Sequence, residues 1–331
     1  MRRGFWLLSL FTLTVAGCTA EISGNLGTSG ASKGDGTQAT SGAGTNATPA
    51  VESPSPRLLR QLTLSEYGNT ITELLHLTNP DTTAIPPDVT VDGYTTNVTG
   101  TFVTQAYMDA YSSVGSALAD RAVTESYSAL VPCQTQDSAC AASFVDAFGL
   151  RAFRRPLSVD EETRYGKLFD ASVTGGDFKT GVGLVIKAML ISPYFLFRSE
   201  LGQDGGQGNF LLTPYETASA LSYTYWGTMP DDALFASAKS GALTKATEVE
   251  AQARRLLADA RGRSRIASFF YEWLESPRAY IAAKDMGTYP NLYSGPSGFT
   301  GIVDAMRAEE DAFVTHVVFD STKKFSELFT A

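Results

Sequence analysis

Residues that carry chemistry are scarce in this chain. Of 331 residues, two are histidine (His76 and His316) and three are cysteine (Cys18, Cys133 and Cys140). Lys and Arg number 26 against 35 Asp and Glu, a net charge of −9. Such an acidic chain is poorly suited to a polyanion, so nucleic acid is not an expected partner. Nucleophile-elbow, P-loop, His-Glu-x-x-His and dinucleotide fingerprints are all missing. Cys-x-x-Cys-His is missing too, and with it the attachment motif for covalent haem. The histidines do not make up the lack. His76 stands near the end of a predicted helix, where it would serve the helix dipole. His316 follows Glu309 and Asp311 on the last predicted helix. The Glu-x-x-His spacing of di-iron proteins would need a histidine at Phe313. No metal, cofactor or catalytic residue is therefore expected, and the reading leans away from an enzyme. Strand-type alternation of Val, Ile and Thr is nearly absent, which leaves an all-α fold of helical modules in series.

What is present begins at the N-terminus. Arg2 and Arg3 precede an apolar run from Phe5 to Val15 that is too short to span a bilayer. It ends in Val15-Ala16-Gly17-Cys18, a secretory signal closing on a lipobox-like sequence. Residues 1–17 are read as a lipoprotein signal peptide and Cys18 as the acylated residue. Thr19 in place of Asp favours the outer membrane, so the expected location is an exported, lipid-anchored envelope protein. From residue 18 to residue 57 the chain is mostly Gly, Ser, Thr, Ala and Asn. Such a segment buries too little to order itself; as a coil of about forty residues it would reach roughly 35 Å. The remaining chain of about 270 residues is long enough for real cores. Its expected modules are 58–127, 128–201 and 209–331. Cys133 and Cys140 remain as an even pair in an oxidising compartment. They are read as a disulfide worth about 2–3 kcal/mol.

The organising stretch of the body runs from Cys133 to Glu162 and ends in FGLRAFRRPLSVDEE, residues 148–162. A helix closes on Arg151, Arg154 and Arg155 and stops at Pro156; Ser158 and Glu161 open the next as a capping box. Two readings of the arginine corner stay open. The guanidinia would hold an anion, or they would cap the carbonyls of their own helix and pair with Glu161 and Glu162 across the turn. Around this hinge, helices are predicted over residues 58–78, 101–123, 159–171, 177–200, 247–258, 262–276 and 300–319. The helix 177–200 is apolar nearly all round and should be central and buried, broken near Pro193. Gly202 to Gly208 reads as a flexible joint. Thr213-Pro214-Tyr215-Glu216 and Met229-Pro230-Asp231-Asp232 open two further helices. Thr247 and Glu250 suggest another capping box.

Two surfaces are worth naming. Tyr223, Tyr225 and Trp226, with Met229, Asp231 and Asp232 beside them, pair aromatic rings with carboxylates as a glycan-facing surface does; packing in a helix–helix core is the other reading. The basic run Arg254, Arg255, Arg261, Arg263 and Arg265 reads as a solvated face. Asp88-x-Thr90-x-Asp92-Gly93 has the first half of an EF-hand spacing, but Thr99 stands where the bidentate Glu belongs, so it reads as a turn.

Taken together, RQLTLSEYGNTITELL, IPPD, RAFRRPLSVDEE, LISPYFLFRSE and LTPYETASALSYTYW resemble a known series. It is the run of consecutive domains of unknown function in secreted planctomycete and myxobacterial proteins. The resemblance covers residues 58–331 and implies export, helical modules in fixed order and no established activity. It also implies further domains beyond FSELFTA, so the chain is expected to be a truncated member. Two functions follow from different classes. One is a non-catalytic, lipid-anchored binding or scaffold module with a polysaccharide or envelope-protein partner. The other is an accessory part of a secreted redox or polysaccharide-processing enzyme whose active portion lies outside this chain.

Overall fold

The computed structural model describes residues 57–97, 103–173, 177–275, 285, 287–292, 298–321, 324 and 326–330. They belong to one unit, Pro54–Ala331. Cys18, the signal segment, nearly all of the tether, Phe102 and Thr99 lie outside the described residues. The fold is all-α with a few short strands.

Strand β1 (Leu58–Gln61) opens the body, where the leucine spacing suggested helix. It pairs antiparallel with β2 (Phe197–Glu200), Leu58 opposite Glu200 and Gln61 opposite Phe197. Leu59 is 55% exposed. The reason is the cap. Thr63 and Glu66 close a reciprocal capping box, so helix α1 (Leu64–Leu75) starts only there and leaves the preceding residues extended. Tyr67, Ile71, Leu74 and Leu75 form its buried stripe, and His76 ends it in the left-handed region at φ 52°.

Helix α2 (Gln105–Glu125) follows, then the short α3 (Tyr127–Leu130) and α4 (Ser138–Phe153), capped by the Asp137 side chain. The Cys133–Cys140 disulfide ties the approach loop to the first turn of α4, with Cα atoms 6.0 Å apart. After the hinge come α5 (Val159–Val173) and α6 (Phe178–Leu190). Leu157 folds back so closely onto Gly149 that a β-carbon there would lie 2.6 Å from its Cδ1. Only glycine lets the corner close.

Helix α6 packs against α2, α4 and α5, with Val182, Val185, Ile186, Met189 and Leu190 fully buried. It stops ten residues short of the expected end at 200. Ser192 caps a new turn, α7 (Pro193–Leu196), with Pro193 at its first position, and the chain then extends into β2. The glycine-rich joint is also ordered: β3 (Gln203–Gly206) and β4 (Asn209–Leu211) form a hairpin. Gln207 and Gly208 take φ 54° and 78°. Two consecutive left-handed residues make the tight turn that matches strand twist.

The C-terminal part holds α8 (Pro214–Tyr225), α9 (Asp232–Lys239), α10 (Ala246–Ala258), α11 (Ala260–Trp273), α12 (Gly298–Thr315) and α13 (Glu327–Thr330). A π-helical turn, His316–Asp320, follows α12. Lys245 stands at the N-cap of α10 without a side-chain cap bond, so Thr247 lies inside the helix and the expected Thr247/Glu250 box does not form. Helix α8 serves two cores. Tyr223 enters the large one built by α1–α7, while Ala218 and Trp226 pack with Leu234, Ala238, Leu243 and Leu256 in a smaller one.

Candidate functional site

The hinge arginines diverge. Arg154 is the C-cap of α4 at φ 59° and is 3% exposed. Its Nη2 donates to the carbonyls of Tyr194, Phe195 and Phe197 at 2.7, 2.9 and 2.8 Å. Its Nη1 reaches the Tyr223 hydroxyl at 3.3 Å. Arg155 makes a bidentate pair with Glu161 at 2.8 and 2.9 Å and lies 4.7 Å over the Tyr194 ring. Arg151 pairs with Asp232. The corner therefore does not converge on one anion, and the Arg154 side chain does not bond the carbonyls of its own helix. The carbonyls it satisfies belong to the turn that carries α7 into β2. Glu162, named as a partner across the turn, is exposed, and Glu161 alone takes Arg155. The Arg155 hydrogen bonds hold the Glu161 carboxyl down to about 2, assisted by the Ser158 amide.

Arg154 is one member of a larger buried polar junction. Thr70 Oγ1 donates to the Glu66 carbonyl at 2.7 Å and lies 2.9 Å from the Tyr223 hydroxyl. The Arg198 guanidinium sits 4.8 Å from the centre of the Tyr223 ring. Glu66, 1% exposed, receives Arg265 at 3.0 Å. Burial pushes the Arg154 pKa down and the Tyr67 phenol up. Arg198 Nε and the hydroxyls of Tyr67 and Ser219 are buried with no hydrogen-bond partner. None of Glu66, Thr70 and Arg198 is visible as a junction residue from sequence. Glu66 reads as a capping residue, which it also is. The only hint is an arginine inside the apolar string Tyr194–Arg198.

The aromatic and acidic set is not one exposed surface. Tyr223 is fully buried and Trp226 is 5% exposed, its indole N–H donating to the Leu256 carbonyl at 2.9 Å. Tyr225 is half-buried. Asp231 caps α9 and pairs with Arg255 at 2.8 and 3.0 Å. Burial works to raise its pKa, and the Arg255 hydrogen bonds outweigh that, leaving it lowered. Asp232 is exposed beside Arg151. Tyr223 belongs to the larger core and Trp226 and Tyr225 to the smaller one, with the two carboxylates at the rim, which is why they cannot also face a glycan together.

The basic run is not simply a solvated face either. Arg254 pairs with Glu250 in solvent, and Arg263 with Asp320. Arg261 lies 3.5 Å over the Trp226 ring and reaches Glu73 at 3.1 Å. Arg255, Arg261 and Arg265 thus turn inward, two of them across to α1.

Elsewhere, both oxygens of Asp88 accept from the Leu64 amide at 3.0 and 2.9 Å. Asp92 and Gly93 form a turn closed by a Val91–Tyr94 bridge. Burial raises the Asp88 pKa. Among the described residues no group of three or more His, Cys, Asp or Glu side chains could hold a metal ion, and no helix is long and apolar enough to cross a membrane. A groove of about 940 Å³ runs between α1 and residues 78–95.

Three family models match the chain in series. PSD3, a protein of unknown function (DUF1587), matches residues 60–124. PSD5 (DUF1595) matches 140–200, and PSD4 (DUF1592) matches 212–331. The chain carries these three domains consecutively. No curated protein and no solved structure matches it. Set against these spans, the buried junction takes residues from every domain: Glu66 and Thr70 from PSD3, Arg154 and Arg198 from PSD5, Tyr223 and Arg265 from PSD4.

Proposed function

We propose that this is a lipid-anchored cell-envelope protein whose three domains are locked into one non-catalytic binding or scaffold body. The observation that carries the reading is the shared junction: Arg154, Tyr223, Thr70, Glu66 and Arg265 spend their polar groups on one another across domain boundaries. Groups committed to buried partners hold surfaces in register, the need of a scaffold. Export is supported by Val15-Ala16-Gly17-Cys18, the low-complexity tether behind it, and a disulfide of the kind that persists in oxidising compartments. Anchored at Cys18 in the outer membrane, the body would meet a polysaccharide or an envelope protein.

The test is fractionation with acyl labelling. Wild type should partition with membranes and take up label at Cys18. Cys18→Ser should be soluble, or remain uncut and unlabelled. Equal membrane retention of both proteins, with label on neither, would remove the anchor from the proposal.

A further inference from the structure

Gly68 sits in the interior of α1, where glycine is less favourable than any residue but proline. A helical glycine is usually explained by a close neighbour, as Gly181 is by the Phe169 ring, 2.9 Å from where its β-carbon would be. Nothing lies within 4 Å of the corresponding point at Gly68, and its φ is not positive. Gly166 in α5 is bare in the same way, so bareness alone decides nothing. Gly68 differs in lining the groove between α1 and residues 78–95.

That groove has a definite chemistry. Its volume, about 940 Å³, falls within the range of small-molecule sites, about 300–1,000 Å³. One wall presents Ser65, Asn69 and Thr72 of α1, and the facing wall Thr78, Asn79 and Thr82. Carbon surface from Leu64, Pro80 and Pro87 lies between them, beside the Asp88 carboxylate. No cation lines it, which disfavours an anion. It offers no unpaired strand edge, which disfavours an extended peptide. Several of its polar groups have spent their protons. Thr72 Oγ1 donates to the Gly68 carbonyl and Thr95 Oγ1 to Glu272, while both Asp88 oxygens retain unused lone pairs beyond the Leu64 amide. Asn69 already donates to the Gly227 carbonyl at 3.2 Å and the Ser65 hydroxyl lies 3.1 Å from that of Thr63, so the groove offers acceptors together with remaining amide and hydroxyl donors. A partner rich in hydroxyl groups and apolar C–H faces fits this.

The geometry points to the α1 groove as a binding site for a neutral saccharide, with Gly68 kept bare so that a sugar ring can lie against the helix backbone. The inference rests on the binding-module reading above and names the ligand class and place.

The test uses the full-length protein, titrated calorimetrically with neutral hexasaccharides of glucose, mannose, xylose and N-acetylglucosamine, and with polygalacturonate as the anionic comparison. At least one neutral sugar should bind at millimolar concentration or below, and more tightly than polygalacturonate. Gly68→Leu fills the groove and should weaken that binding about tenfold or more, equivalent to about 1.4 kcal/mol. Its Tm should be unchanged or higher, because leucine is the better helix former. If Gly68→Leu lowers Tm, Gly68→Ala gives the reading, since one methyl enters open space. No binding of any neutral hexasaccharide, or a preference for polygalacturonate, overturns the inference. Neutral-sugar binding that both variants leave intact also overturns the groove, yet leaves the binding module standing. The Cys18 fractionation is unaffected by any of these outcomes.

Discussion

Arg154 stands in a backbone conformation that few residues other than glycine adopt, and its side chain is committed to a turn some forty residues on. A non-glycine residue at φ 59° costs about 1–3 kcal/mol unless its surroundings fix it. Here one guanidinium nitrogen shares its two N–H groups among three carbonyls of the turn between α7 and β2, and the other reaches Tyr223. Arg154→Ala keeps the strained backbone and leaves those acceptors buried without a donor, at about 1–3 kcal/mol for an unsatisfied group. Arg154→Lys should recover little, because an ammonium lacks the planar fork and is harder to dehydrate. Chemical denaturation of the three proteins checks this. A lysine variant as stable as wild type would mean that charge alone, not the guanidinium geometry, holds the turn.

The hinge between α4 and α5 works as an element because one carboxylate serves both sides. Glu161 accepts from the Ser158 amide within its own helix cap and from Arg155 across the corner. Its pKa is depressed from 4.5 to about 2, so the stability it supplies is fully present above pH 4.5. That stability is lost progressively as pH falls from 4.5 towards 2, because protonation then removes the acceptor of both bonds. Thermal unfolding of wild type and Glu161→Gln across that range should show a Tm difference that shrinks with acidification. A difference constant from pH 6 to pH 2 would assign the effect to shape rather than charge. This capping box is legible from Ser158 and Glu161, as is that of α8 from Thr213 and Glu216, because a cap is written within four residues. The strand at Leu58–Gln61 was not legible. Its partner lies some 140 residues away, and Leu59 and Leu62 fall by chance at helical spacing. The hairpin at residues 203–211 is hidden for another reason: repeated glycine reads as looseness, whereas Gln207-Gly208 supplies the turn. The junction residues escaped because a buried Thr70–Tyr223 contact depends on how helices pack, which no local pattern encodes.

For the molecule as a whole, the inward-turned arginines of α11, Arg261 and Arg265, join the last domain to the first. Glu66 is nearly inaccessible, and Arg265 neutralises it from α11. Arg265→Ala should cost about 1–3 kcal/mol by stranding that carboxylate. Amide exchange should then quicken in α11 more than in α6. Arg254→Ala, which removes only a solvent-exposed pair, should stay within about 0.5 kcal/mol of wild type. Equal losses for the two variants, or no change in α11 exchange, would deny that the third domain is fastened through Glu66.

The β1–β2 ribbon has a consequence for how such a chain comes to be folded. A polypeptide made from its N-terminus presents Leu58–Gln61 long before Phe197–Glu200 exists to pair with it. Helices α1 to α6 depend on closer contacts and can assemble during that interval, whereas the ribbon closes across the full span of the first two domains. Until then a nascent strand is open to pairing with a neighbouring chain. Arg60 within it and Arg57 beside it are the charges that discourage such pairing, and each finds its partner, Glu200 or the Leu201 carbonyl, only when the correct strand arrives.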